Sequence, residues 1–388
     1  MPDINNITLW GRSEGNTIIT NNGNSHTFTW IPATPAGNNV QNFNMSNISI
    51  TNTAVGYHAI HIDANNIVYP NSFFGYHGHF SKIDVTGNGS GTAIYLRNCC
   101  NFQASDCDWI GGDTVVKNCS TGYFENIIFG NSTPNNLDFE FLATNPMSFT
   151  RRGEVSLIGG AIIKGDLILR GHPNIAIDPT VNIAGNITGI GLTSYYSTGI
   201  DYCPKVTIGG GVGDTDTPGS GAISLTLPDP QPSPSTSNNF IDVREANVLG
   251  TVSISKPTSG PLADSRAYAI INARGTTFGT PTSSTLTLSG YVNADLRNAL
   301  FYQDALSGDA ISMVDRNRIV LPGVNTTSQI TNMTISPAFP TGATYTMLGV
   351  AQAAVTVYAT NKTTSGYVLN RTGAASATIL CDIVINRA

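Results

Sequence analysis

Charge is what this sequence has least of. Only 11% of its 388 residues are Asp, Glu, Lys or Arg, against about 25% in a usual soluble domain. Positive charge is the scarcer sign: 19 Lys and Arg stand against 25 Asp and Glu, for a net charge of −6. With no basic run, a phosphate backbone has nothing to bind, so no nucleic-acid partner is expected. Long apolar runs are absent too. None approaches the roughly 20 residues that cross a bilayer, so no membrane insertion is expected. The opening "MPDINNITLWG" lacks the charged start and apolar stretch of a signal peptide. Cysteine is sparse, at six residues. Cys99 and Cys100 are adjacent and cannot readily pair, and Cys203 and Cys381 are isolated. This pattern suits reduced thiols in a cytosol-like compartment. A zinc site would need two Cys-x2–4-Cys pairs converging on one point. No metal and no cofactor are therefore expected.

What is present is Asn, Thr, Ser and 40 glycines, beside 40% hydrophobic residues. These are residues of strands and tight turns, not of helices. Phe80, Phe102 and Phe124 recur at intervals of about 22. Beside them run "GYHAIHIDAN", "GTAIYLRNC" and "GDTVVKNC", each a glycine, a short alternating strand and a polar corner. A period near 20 with short β-branched strands predicts an all-β chain, coiled as a parallel β-helix. In such a coil each turn hydrogen-bonds to the turns above and below, about 4.8 Å away. A β-sandwich is the alternative, and it does not explain the recurring interval.

Aligning the turns on their phenylalanines gives an inside and an outside. In "FNMSNISI", Phe43, Met45, Ile48 and Ile50 point inward and Asn47 makes the bend. In "FQASDCDW", Phe102, Ala104, Cys107 and Trp109 point inward, Asp106 makes the bend and Asp108 faces out. Cys99 and Cys119 fall at equivalent corners and stack. "FSKIDV" then puts Asp84 outward beside Asp108, roughly 5 Å away. Two carboxylates that close raise one pKa, and their spacing is near that of retaining glycosidases. Asp84 and Asp108 are thus candidate catalytic acids, and Lys82, Asp84, Tyr95 and Asp108 candidate ligand-binding residues. Two exposed acids merely solvated on a polar wall are the plainer alternative. His58, His61, His77 and His79 also cluster, as side chains lining the outer surface.

"ITLWGRSEGNTIIT" and "FNMSNISITNT" resemble the first turns of the pectin-lyase-like right-handed β-helices. "NTAVGYHAIHI" followed by "NSFFGYHGHF" is more particularly similar to the pectin methylesterases, whose turns read Gly-x-Gln-Ala-Val-Ala-Leu and Gly-Tyr-Gln-Asp-Thr-Leu-Tyr. The resemblance spans roughly residues 4–130. His58 replaces the first Gln, and His77, Gly78 and His79 replace Gln-Asp-Thr. In "NIIFG", Asn126 stands in the nucleophile's place. The resemblance therefore implies the fold with its catalytic acids missing.

Downstream, glycine-punctuated strands over 154–208 suggest narrower, less regular turns. The expected organisation is a β-helix over 1–226, a Pro/Ser-rich linker or loop over 227–239, further strands over 240–335, and a C-terminal antiparallel sandwich over 336–388. "ADLRNALFYQDAL" is the one helix-like run. A β-helix followed by a terminal sandwich resembles viral tailspikes and fibres. That resemblance implies a homotrimer on a virion surface, made in a reducing host cytoplasm, contacting other virion or capsid proteins and a host surface glycan. The expected function is a non-enzymatic spike that attaches by glycan binding. The alternatives are a polysaccharide depolymerase using Asp84 and Asp108, and an extracellular surface protein unconnected with any virus.

Overall fold

The computed structural model describes residues 6–31, 41–63, 76–97, 99, 102–119, 122–141, 154–193, 195–197, 200–202, 204–216, 220–228, 239–244 and 246–255, and beyond 255 only the strands that follow. These described residues form strands and turns, with no helix among them. From Asn6 to Phe301 almost all pairing is parallel, in one sheet of eighteen strands and one of ten. The chain visits them in alternation. Gln103–Ile110 lies in the larger sheet, Asp113–Lys117 in the smaller, Gly122–Phe129 in the larger and Leu137–Phe141 in the smaller. Each return lays a strand beside its counterpart from the previous circuit. A short antiparallel hairpin, Tyr195–Ser197 with Ile200–Tyr202, interrupts the pattern.

The alternation of side chains dictates this packing. A strand presents successive residues to opposite faces, and the inward set here is apolar throughout. Phe43, Met45, Ile48 and Ile50 are buried, as are Phe102, Ala104, Cys107 and Trp109. Each large side chain so buried contributes about 1.5–3 kcal/mol, and one continuous core runs through the parallel region. Between the inward pairs sits a residue in the left-handed region: Asn47, Lys82, Asp106 and Asn126 have φ of 51–54°. Asn and Asp tolerate this conformation by local hydrogen bonding, and Asn126 Nδ2 donates to Asp106 Oδ1 at 2.7 Å.

The bends, not the phenylalanines, set the register. Met45 pairs with Phe80, Phe80 with Ala104 and Ala104 with Phe124. Phe80 and Phe124 are thus equivalent, but Phe102 sits one inward position earlier. There it packs against a neighbour without a side chain, because a Cβ on Gly122 would stand 2.5 Å from the Phe102 ring. Over 154–208 the pairing begins at one fixed interval. Val155 pairs with Ile175, Ile163 with Ile183 and Leu167 with Ile187, twenty residues on in each case. The ladder then slips: Gly171 pairs with Leu192 across a bulge after Arg170, and beyond the hairpin Asn174–Ile177 pairs with Lys205–Ile208, no longer twenty residues on.

A polar ladder explains much of the Asn and Asp content. Asp113 Oδ1 accepts the Asn136 backbone N–H at 2.8 Å, Asn136 Oδ1 that of Asp166 at 2.8 Å, Asp166 Oδ1 that of Asn186 at 2.7 Å, and Asn186 Oδ1 that of Ala222 at 2.9 Å. Each side chain satisfies the corner amide of the next circuit. Asp166→Ala should cost about 1–3 kcal/mol by leaving the Asn186 amide unsatisfied. Asp166→Asn keeps the acceptor and should cost less. Urea midpoints for the two variants check this; equal losses would mean the acceptor is unimportant.

The parallel pairing continues across the Pro/Ser-rich stretch, whose residues 229–238 lie outside the described set. Lys205–Ile208 pairs with Asn239–Asp242, and Ile223–Thr226 with Val252–Ser255. The helix-like run does not begin as a helix. Val292–Asp295 and Leu300–Phe301 are strands laid on Ala269–Asn272 and Thr277–Phe278; the rest of the run lies outside the described residues. A ready ladder edge overrides a modest local helix preference.

Beyond the parallel region the pairing is antiparallel. Ile379–Arg387 lies between Arg318–Thr326 and Tyr345–Ala351, and Gly366–Arg371 lies between Ile330–Thr334 and Val357–Thr363. The antiparallel pairing thus reaches back to Arg318.

Candidate functional site

Two outward faces carry chemistry. On the larger sheet, Asp84 and Asp108 are direct partners on adjacent strands, as their spacing suggested. Burial raises the Asp84 carboxyl above the ordinary carboxylate range, Asp108 and Glu14 raise it further, and the Ser49 hydroxyl, 3.4 Å from Asp84 Oδ2, works against them. Lys82 lies at the bend two residues earlier, exposed and at φ 54°. For a lysine that conformation costs about 1–2 kcal/mol. Tyr95 does not join them. It projects from the other sheet, where its ring stacks on His58 at 5.6 Å.

A raised carboxyl pKa works against the folded state at neutral pH. Asp84 binds its proton more tightly folded than unfolded, so the penalty is absent below the unfolded pKa and grows as pH rises through the folded one. Asp84→Asn should therefore melt higher than the parent at pH 7, and the gap should close on acidification below pH 3.8, the unperturbed value. Thermal melts across that range check it; a variant that melts lower at pH 7 contradicts it.

The second face lies on the smaller sheet. Its strands Ile60–Asp63, Thr92–Arg97, Asp113–Lys117, Leu137–Phe141 and Leu167–Gly171 stack in register. One outward column reads His61, Tyr95, Val115, Asp138, Ile168. The next reads Asp63, Arg97, Lys117, Glu140, Arg170. In a chain so poor in charge, six charged groups here stand side by side. Arg97 pairs with Asp63 at 3.5 Å and Lys117 with Glu140 at 2.6 Å. Arg170 Nε donates to both Asp138 oxygens at 3.0 Å. Burial still lifts the Asp138 carboxyl, outweighing the guanidinium that holds it down. A groove of about 460 Å³ runs over this face, lined by His58, Tyr95, Lys117, Asp138, Glu140 and Arg170. That volume falls within the usual range for ligand sites, about 300–1,000 Å³.

Of the expected site residues, then, the structure joins Asp84 with Asp108, keeps Lys82 two residues away at the bend, and moves Tyr95 to a different face. Lys117, Asp138, Glu140 and Arg170 were not singled out by their sequence, although their outward alternation in "TVVK", "LDFEF" and "LILR" is visible there. Cys99, Cys107 and Cys119 are buried free thiols. The Cys99 amide donates to Cys119 Sγ at 3.4 Å, so the two corners do stack. Burial pushes the Cys107 thiol up to about 12, which leaves it unreactive at neutral pH.

No protein-family model matches this chain, and no curated protein matches it in sequence.

Proposed function

We propose that the chain is a right-handed parallel β-helix of the pectin-lyase-like kind with a C-terminal antiparallel sandwich, and that it serves as a glycan-binding spike or fibre protein on a virion. The observation that carries this reading is the groove on the smaller sheet. It places one aromatic ring, Tyr95, beside a row of ion-paired polar groups ending in Arg170 and Asp138. Aromatic faces take the apolar side of a sugar ring, and fixed donors and acceptors take its hydroxyls. Charges already paired with one another offer hydrogen bonds without demanding a charged ligand. The resemblance in element order to tailspikes and fibres supports a homotrimer that contacts other virion proteins.

Titration calorimetry against a panel of surface polysaccharides tests the binding. We expect at least one ligand whose affinity falls about tenfold or more in Tyr95→Ala, a loss of about 1.4 kcal/mol or more. Native mass spectrometry tests the assembly; a monomer at all concentrations removes the spike reading. The Asp84–Asp108 pair favours a second reading, a polysaccharide depolymerase. Oligosaccharide release that vanishes in Asp84→Asn and Asp108→Asn would establish it in place of the first.

A further inference from the structure

We propose that His26, His58 and His61 form a site for one divalent transition-metal ion of the zinc class, clipping the first circuit of the coil to the second. The inference does not depend on the glycan reading. It rests on the convergence of three imidazoles from separate points of the chain. One ring nitrogen from each lies within 4.8 Å of the others. The ring centroids are 4.7 Å apart for His26 and His58, 4.2 Å for His26 and His61, and 5.1 Å for His58 and His61. His26 precedes the strand Phe28–Trp30, and His58 and His61 flank the start of its partner Ile60–Asp63. The sequence alone pointed to His58 and His61 with His77 and His79; of those last two, His79 is exposed on the larger sheet.

On two of the three rings the hydrogen bonds leave a lone pair for a metal. His58 Nδ1 lies 2.6 Å from the Thr92 carbonyl oxygen, so it must carry the proton, and Nε2 keeps its lone pair. A backbone carbonyl on the far nitrogen is the usual support for a metal-bound histidine. His61 Nδ1 is buried without a hydrogen-bond partner. His26 Nδ1 accepts a hydrogen bond from the His58 backbone N–H at 2.8 Å; to ligate through this atom the ring gives up that hydrogen bond and turns its lone pair to the ion. A tetrahedral zinc with bonds near 2.1 Å holds its nitrogens about 3.4 Å apart. From 4.8 Å the triad closes by a contraction of up to about 1.4 Å, within reach of ring rotation. Three nitrogens select a borderline ion such as zinc, nickel or cobalt over calcium or magnesium, and leave a fourth position to water.

The test uses the full chain without a histidine tag, stripped by a chelator and titrated with zinc in a calorimeter. One equivalent should bind in the micromolar range or tighter, and the affinity should fall roughly 10–100-fold in His26→Gln and in His61→Gln, with His79→Gln unchanged. Ring-nitrogen NMR of the parent needs no variant. Of its six histidines, the signals of His26, His58 and His61 should move together on adding zinc. No stoichiometric binding, or movement of a different set of rings, overturns the proposal.

Discussion

Trp109→Ala should unfold the parallel region at a markedly lower urea concentration than the parent, with a loss of about 3–5 kcal/mol. Trp109 is 1% exposed. Its ring meets Phe80, Phe124 and Phe129 edge-on, at centroid distances of 6.2, 5.7 and 5.6 Å. It pairs with Val85 on one side and Phe129 on the other, so its removal opens a cavity between three successive circuits. The strand that carries Trp109 pairs only with Tyr76–Thr86 and Gly122–Phe129, and stability in stacked strands is a nearest-neighbour matter. The damage should therefore concentrate in hydrogen exchange near residues 80–130 and leave the antiparallel C-terminal sheets protected. Trp109→Phe separates packing from polarity. The indole N–H is buried with no hydrogen-bond partner, so phenylalanine discards nothing but volume, and a loss under about 1.5 kcal/mol is expected. If phenylalanine were as harmful as alanine, the N–H must be engaged.

The same residue shows what could be read in the sequence. Trp109 and Cys107 inward, Asp106 at the bend and Asp108 outward all follow from two-residue alternation around one polar corner. That rule is local, so it needs no knowledge of the rest of the chain. It also placed Asp84 beside Asp108, because the two strands run in step from their bends. What alternation does not give is the phase between circuits. Phe102 looked equivalent to Phe80 and Phe124 because their intervals are equal, yet the bends at Lys82, Asp106 and Asn126 are spaced unequally. A large ring moved by one inward position over a glycine is invisible until the register is known. The charged groove was missed for a related reason. Tyr95, Lys117, Asp138 and Arg170 come together only when the connections between their strands have their actual lengths, and those connections carry no periodic signal. His26 is harder still. It precedes its strand, and only the parallel pairing of Phe28 with Ile60 brings it to His58 and His61.

If the groove binds glycan as proposed, Arg170→Ala should weaken that binding at least about tenfold, while costing about 1–2 kcal/mol of stability. The stability figure lies between that of an exposed ion pair, about 0–1 kcal/mol, and the 3–5 kcal/mol lost when a fully buried pair is broken. Both partners here are part-buried, with side-chain exposures of 33% and 19%. Removing the guanidinium leaves the Asp138 carboxylate with its burial offset only by the charge of Lys117. Its pKa, already raised, must rise further, and this sets the sign of a pH test. A carboxyl with a raised folded pKa penalises the fold once ionised, so the variant's deficit should be largest at high pH and shrink on acidification through the folded pKa. Arg170→Lys keeps the charge but loses the planar array of donors. It should restore much of the stability and little of the binding. If lysine restores both, Arg170 acts as a point charge and the groove does not read hydroxyl geometry. If alanine leaves glycan affinity unchanged while Tyr95→Ala reduces it, the ligand occupies only the Tyr95 end of the face, next to the three histidines.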